Sequence, residues 1–147
     1  MLARMTERAA TCHCRALRLA CAGEPYKVSM CHCIDCQRRT GSAFSVAAFY
    51  PREAVRIEGA THSFERDSAS GNRVRFHFCP DCGSNLFWES ARMPHLIGVA
   101  LGGFEDPGFP APEQAVWARD RHAWVAVQGD IPHFEENPTP RPQRRHD

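Results

Sequence analysis

Lysine is almost absent from this sequence: of its 18 lysines and arginines only Lys27 is a lysine. Acidic and basic residues nearly cancel to a formal net charge of +1, so no field of one sign points to nucleic acid or an anionic membrane surface. No apolar run approaches the roughly 20 residues of a membrane helix. The first ten residues carry Arg4 and Arg8 but no apolar core segment, so no secretory signal is expected. The expected compartment is the reducing cytoplasm. Also missing are a Ser-His-Asp arrangement, a phosphate loop and a pair of carboxylates at a spacing that argues catalysis.

Long helical periodicity is scarce too, and short alternating segments take its place. Leu17, Leu19 and Cys21 share one side of an expected strand, with Ala16, Arg18 and Ala20 on the other. Residues 26–30 read as a second strand and 37–41 as one helical turn stopped by Gly41. Residues 42–50 are apolar on both faces, which predicts a central strand. Further strands are expected at 55–58, 62–66, 73–78, 85–88 and 95–101. Glycine and proline make 102–112 a long loop, and the mixed period of 115–127 supports neither helix nor strand. The expected organisation is a mainly β single domain over 11–134, with flexible tails at 1–10 and 135–147.

What is abundant is cysteine. Of the eight, seven fall into clusters: Cys12 and Cys14, then Cys31, Cys33 and Cys36, then Cys79 and Cys82. Disulfide frameworks belong to small secreted domains, and cysteines this close in sequence suit a shared metal better than a bridge. Cys21 continues the apolar Leu17–Leu19 face and reads as a small core side chain.

Zinc takes four tetrahedral ligands, and structural sites fill all four from protein. Cys79-Pro80-Asp81-Cys82-Gly83 is a knuckle that brings two sulfurs to one metal, with a glycine that admits the required backbone. Cys12 and Cys14 are its natural partners, since borrowing two from the triplet would strand the third. An extended backbone there would point both sulfurs the same way. The result is a closed site pinning the first strand to a turn about halfway along the chain.

Cys31, Cys33 and Cys36 are left as three thiolates without a fourth. Water or substrate could complete that set, as in a catalytic site, or a histidine from elsewhere: His62, His77, His95 or His122. His32 is disfavoured because both its neighbours are expected ligands. Zinc with three thiolates carries a net charge of −1, which weakens its activation of water and suits binding another thiol. Metal binding would deprotonate that thiol and hold it as a nucleophile. Arg38 and Arg39 balance this charge, hold a substrate carboxylate, or are simply solvated on a helical turn. Phe44, Phe49, Phe76, Phe78, Phe87 and Trp88 read as core, with one or two lining a pocket near the second zinc. Glu89, Asp106 and Asp120 have no partner pattern in the sequence.

These segments together resemble the GFA family, named for its glutathione-dependent formaldehyde-activating enzyme and containing centromere protein V. The residues that carry the resemblance are Cys12-His13-Cys14, the run Cys31-His32-Cys33-Ile34-Asp35-Cys36-Gln37-Arg38-Arg39-Thr40-Gly41, and Phe78-Cys79-Pro80-Asp81-Cys82-Gly83-Ser84-Asn85-Leu86-Phe87. The closing Gly129-Asp130-Ile131-Pro132-His133-Phe134 also looks like the family's end. Arg15 stands where the family usually has glycine, and the chain is shorter than the founding enzyme.

The resemblance implies a complex fold of twisted antiparallel sheets, shared with small zinc-binding chaperones of Rab GTPases. It implies a structural zinc on Cys12, Cys14, Cys79 and Cys82. It implies a second, catalytic zinc on Cys31, Cys33 and Cys36, which also take part in binding glutathione. The implied activity is that of a carbon-sulfur lyase, in which the thiol of glutathione adds to formaldehyde to give S-hydroxymethylglutathione. Two other readings fit the same cysteines: a non-enzymatic zinc module for a protein partner or metal buffering, and a redox sensor that releases zinc on oxidation.

Overall fold

The computed structural model describes residues 6–138. In chain order the elements are β1 (Glu7–Thr11), β2 (Arg18–Ala22), β3 (Lys27–Cys31), helix α1 (Ile34–Thr40), β4 (Ser45–Pro51), β5 (Val55–Glu58) and β6 (His62–Asp67). After them come β7 (Arg73–Phe78), β8 (Asn85–Ser90), β9 (Leu96–Ala100) and β10 (Gln114–Val116). The fold is mainly β, and its strands form two sheets: β1-β2-β5, and β10-β3-β4-β9-β8-β7-β6. The strand pairs are antiparallel apart from β10 beside β3, which is parallel.

The central strand is β4, flanked by β3 and β9. Alternation sends Ala48 and Tyr50 into the core shared by the two sheets, and Ala47 and Phe49 to a second cluster with Val74, Phe76 and Trp88. Having apolar neighbours on both sides, β4 carries little polarity. The inter-sheet core takes Ala10 from β1, Leu19 and Cys21 from β2, Val28 from β3 and Ile97 and Val99 from β9. Cys21 is fully buried there, and burial pushes its thiol up to about 12, so it behaves as a small neutral hydrophobe.

One close approach shapes the second cluster. A Cβ on Gly98 of β9 would lie 2.5 Å from Trp88 Nε1, so only glycine leaves the indole its place.

Paired backbone extends past both ends of the expected 11–134 span. Glu7–Thr11, expected as tail, form β1, because their backbone groups pair with β2 and Ala10 is buried. At the other end the Trp117 amide donates to the Glu136 carbonyl at 3.2 Å, and Arg119 pairs with the Glu136 carboxylate at 2.9 Å. The rest of the two expected tails, 1–5 and 139–147, lies outside the described residues. Residues 115–127 are mostly irregular. Their start joins β10, which is flanked by the 129–134 stretch: the Phe134 amide donates to the Ala115 carbonyl at 2.8 Å. No helix among the described residues is long and apolar enough to cross a membrane.

Candidate metal centres and the cavity beside the second

The first cysteine group forms where two turns meet. Cys12 and Cys14 sit between β1 and β2, and Cys79 and Cys82 between β7 and β8. The backbone at Cys12–Arg15 is a turn, not the extended segment expected, and it closes by an Arg15 amide bond to the Cys12 carbonyl at 3.1 Å. The Cys79 knuckle closes the same way through Gly83 at 2.8 Å. Both closing residues are left-handed: Gly83 has φ 75° and Arg15 φ 69°. Convergence of the sulfurs therefore comes from paired turns. The His13 amide donates to Ser84 Oγ at 3.1 Å, which ties the turns together.

All four sulfurs lie within 4.8 Å of one another, and Cys14 Sγ is 3.6 Å from both Cys12 Sγ and Cys79 Sγ. A tetrahedral zinc with bonds of about 2.3 Å needs sulfurs about 3.8 Å apart, so the group fits such an ion. The eight cysteines are free thiols. Backbone and side-chain donors already face the sulfurs: the Leu17 amide reaches Cys12 Sγ at 3.3 Å, and Ser84 hydrogen bonding pulls the Cys82 thiol down to about 5. The group joins the small sheet to the large one.

Arg15 carries a testable cost. A non-glycine residue at φ 69° is strained, and its salt bridge to Glu105 at 3.1 Å is exposed on both sides and contributes little. Arg15→Gly is expected to raise stability by about 0.5–1 kcal/mol, read from the denaturant midpoint. A lower midpoint would mean that the pair with Glu105 outweighs the strain.

The second group is built on a strand end and a helix start. Cys31 ends β3, Cys33 caps α1 by accepting from the Cys36 amide at 3.3 Å, and Cys36 lies in the first turn. Gly41 ends the helix in the left-handed conformation, its amide bonded to the Gln37 carbonyl at 2.9 Å. The three sulfurs lie within 4.8 Å of one another and could hold a metal ion, and no histidine or carboxylate among the described residues joins them. Cys36 is held far below the ordinary thiol range by hydrogen bonds from Cys31 and Cys33, with Ser45 and Arg39 adding to the effect. Hydrogen bonding with Cys33 pushes Cys31 the opposite way. Ser45, on the facing strand β4, carried no signal in the sequence.

The histidines weighed as fourth ligands are occupied elsewhere or exposed. His77 Nε2 is 2.9 Å from Glu89 Oε2 and its ring stacks on Phe87; His122 Nε2 is 2.8 Å from Gln37 Oε1. His62 and His95 are exposed. His32 is wholly buried between the ligand positions, with neither ring nitrogen hydrogen-bonded, and burial lowers its pKa. Glu89, unpartnered in the sequence reading, pairs with Arg52 as well as His77.

A cavity of about 150 Å³ opens beside the three sulfurs, lined among others by Cys31, Cys33, Cys36, Arg39, Phe76 and Trp88. Phe49 also lines it, so three of the six aromatics weighed as core reach the site. The two arginines after the cluster part company. Arg38 is exposed, while Arg39 is half-buried with its guanidinium over Trp88 and Phe76. Gln37 fixes the helix to the chain beyond β10, donating from Nε2 to the carbonyls of His32 at 2.9 Å and Asp120 at 3.1 Å.

Known proteins resemble this chain in fold and in sequence. A crystal structure of a Rhodobacter sphaeroides protein superposes with a TM-score of 0.52 at 21% identity, covering 85% of this chain and 98% of that one, and so shares the fold. A Halomonas elongata protein called "Putative glutathione-dependent formaldehyde-activating enzyme" is 25% identical over 126 residues, 80% of this chain and 79% of the relative. A Schizosaccharomyces pombe protein called an uncharacterized lyase is 28% identical over 110 residues, 73% of this chain and 77% of the relative. The family model described as GFA, glutathione-dependent formaldehyde-activating enzyme, matches residues 7–120. That span holds every cysteine of both groups, and the chain belongs to the GFA family.

Proposed function

We propose that this protein is a zinc-dependent carbon-sulfur lyase of the GFA type, which adds a small thiol such as glutathione to formaldehyde or a related aldehyde. Cys12, Cys14, Cys79 and Cys82 hold a structural zinc, and Cys31, Cys33 and Cys36 hold a second, catalytic one. The observation that carries the reading is a three-sulfur group that faces a cavity and has no fourth protein donor among the described residues. When bound there, zinc supplies a site at which a thiol loses its proton. The chain's own residues bind and enclose the reactants. Arg39, Arg66 and Arg92 line the cavity and no aspartate or glutamate among the described residues does, which suits a thiol that carries carboxylates. Phe76 and Trp88 form apolar walls that exclude water from the reacting end. The same cavity weighs against a purely structural or interaction role for the triplet, which needs no small-molecule space beside it. We place the activity in the cytoplasm, where thiols stay reduced.

The purified protein is expected to contain two zinc ions per chain and to form S-hydroxymethylglutathione from glutathione and formaldehyde faster than the spontaneous reaction. Metal analysis and exchange NMR read both. No rate above background, with the second zinc present, would sink the glutathione reading.

A further inference from the structure

We propose that Arg39 is a catalytic residue that receives the aldehyde oxygen as it becomes an alkoxide, a role resting on the thiol–aldehyde reading above. The guanidinium has five N–H donors. One goes to Asn85 Oδ1, and Nη2 makes only a long contact of 4.0 Å to Cys36 Sγ. Nε is buried with no partner. Among the described residues no carboxylate pairs with Arg39, whereas Arg52, Arg66, Arg75 and Arg119 each have one. Among the described residues its anionic neighbour is the Cys36 sulfur at that long distance and no acid lines the cavity, so the half-buried cation keeps donors free for negative charge that arrives there.

Its orientation is set before any ligand binds. The guanidinium carbon lies 4.4 Å from the Trp88 ring centre and 4.9 Å from that of Phe76, and these two tilted rings, 6.1 Å apart, form a corner that holds it against the cavity wall. Asn85 is itself anchored, donating from Nδ2 to the His77 carbonyl at 3.0 Å. Trp88 keeps its place because Gly98 has no Cβ. Donors fixed in this way stabilise developing charge without reorganising.

In the step itself, a lone pair on the thiolate sulfur forms the S–C bond, and the C=O π pair moves onto oxygen. The alkoxide then takes a proton from water. Arg39 takes no part in that proton transfer. It serves by hydrogen bonding the oxygen while the charge is largest.

Two thioethers isolate this contact: S-carboxymethylglutathione carries a carboxylate group on the carbon next to sulfur, its oxygens one bond beyond the alkoxide position, and S-methylglutathione carries none. Both share every other group of glutathione, so the difference in their binding reads the added carboxylate, and Arg39→Met reads how much of it Arg39 receives. By calorimetry the wild-type protein is expected to bind the carboxymethyl compound at least tenfold more tightly. Arg39→Met, which keeps the stem packed, should abolish that preference, and Arg38→Met at the exposed neighbour should leave it. Turnover of Arg39→Met should fall about 100-fold in kcat with a small change in KM for the thiol, and added guanidine should restore part of it. Asn85→Ala releases the guanidinium without removing it and should weaken the preference. Equal binding of the two thioethers by wild type, a preference that survives Arg39→Met, or one undiminished in Asn85→Ala, overturns the assignment. A wild type without turnover above the spontaneous reaction counts against the thiol–aldehyde reading itself; the thioether contrast still decides whether Arg39 receives the oxygen.

Discussion

Replacing Cys79 by serine is expected to abolish cooperative folding. The four sulfurs of its group join chain segments 65 residues apart and connect the small sheet to the large one. Cys79 is itself buried at 1% exposure and belongs to the inter-sheet core. A structural four-cysteine zinc supplies on the order of 10–16 kcal/mol of apparent binding energy, comparable with the about 5–15 kcal/mol by which whole domains are stable. Loss of one thiolate removes much of that energy and leaves Cys12, Cys14 and Cys82 repelling one another. Circular dichroism on heating should show no cooperative transition for Cys79→Ser, and a strong chelator should produce the same state in the wild type. A variant that still unfolds cooperatively within about 1 kcal/mol of wild type would mean that the core alone holds the sheets together.

Replacing Cys36 by serine should leave the fold and remove the activity. Its group lies on one strand end and one short helix, so its loss separates no sheets. A free thiol with a pKa near 8.5 is only about 3% thiolate at pH 7, so loss of metal activation alone costs about 30-fold. Loss of positioning beside the cavity adds to this, and the expected fall in the rate of adduct formation is about 100-fold or more. Zinc content should drop from two ions per chain to one while the unfolding midpoint moves little. Full activity with one zinc would place the chemistry away from Cys31, Cys33 and Cys36.

The two variants differ in outcome because similar ligand chemistry is embedded differently. Cys12, Cys14, Cys79 and Cys82 belong to turns that each close on a left-handed residue, and these turns stand between sheets. The triplet is held by a helix cap and by Gln37, which ties the helix to the chain near Asp120 and His122. Damage to the first propagates through the core. Damage to the second stays beside the cavity.

By itself the sequence determined most of the strands, though not β1 or β10, and the grouping of thiols. Strand positions were legible because a strand with one buried face alternates with period two, as Val74 and Phe76 do against Arg73 and Arg75, and β4 announced its central place by being apolar throughout. The cysteine groups were legible because ligand spacing is local: a knuckle or a helix cap sets two or three sulfurs within a few residues. Only the tertiary structure decided what surrounds them. That Arg39 and not Arg38 turns inward depends on Trp88, Phe76 and Asn85, from strands far along the chain. That Glu89 has partners, that Glu7–Thr11 form a strand, and that no described histidine joins the triplet depend likewise on which strands become neighbours. Spacing along a chain specifies which donors can meet, and the pairing of distant strands specifies what they meet.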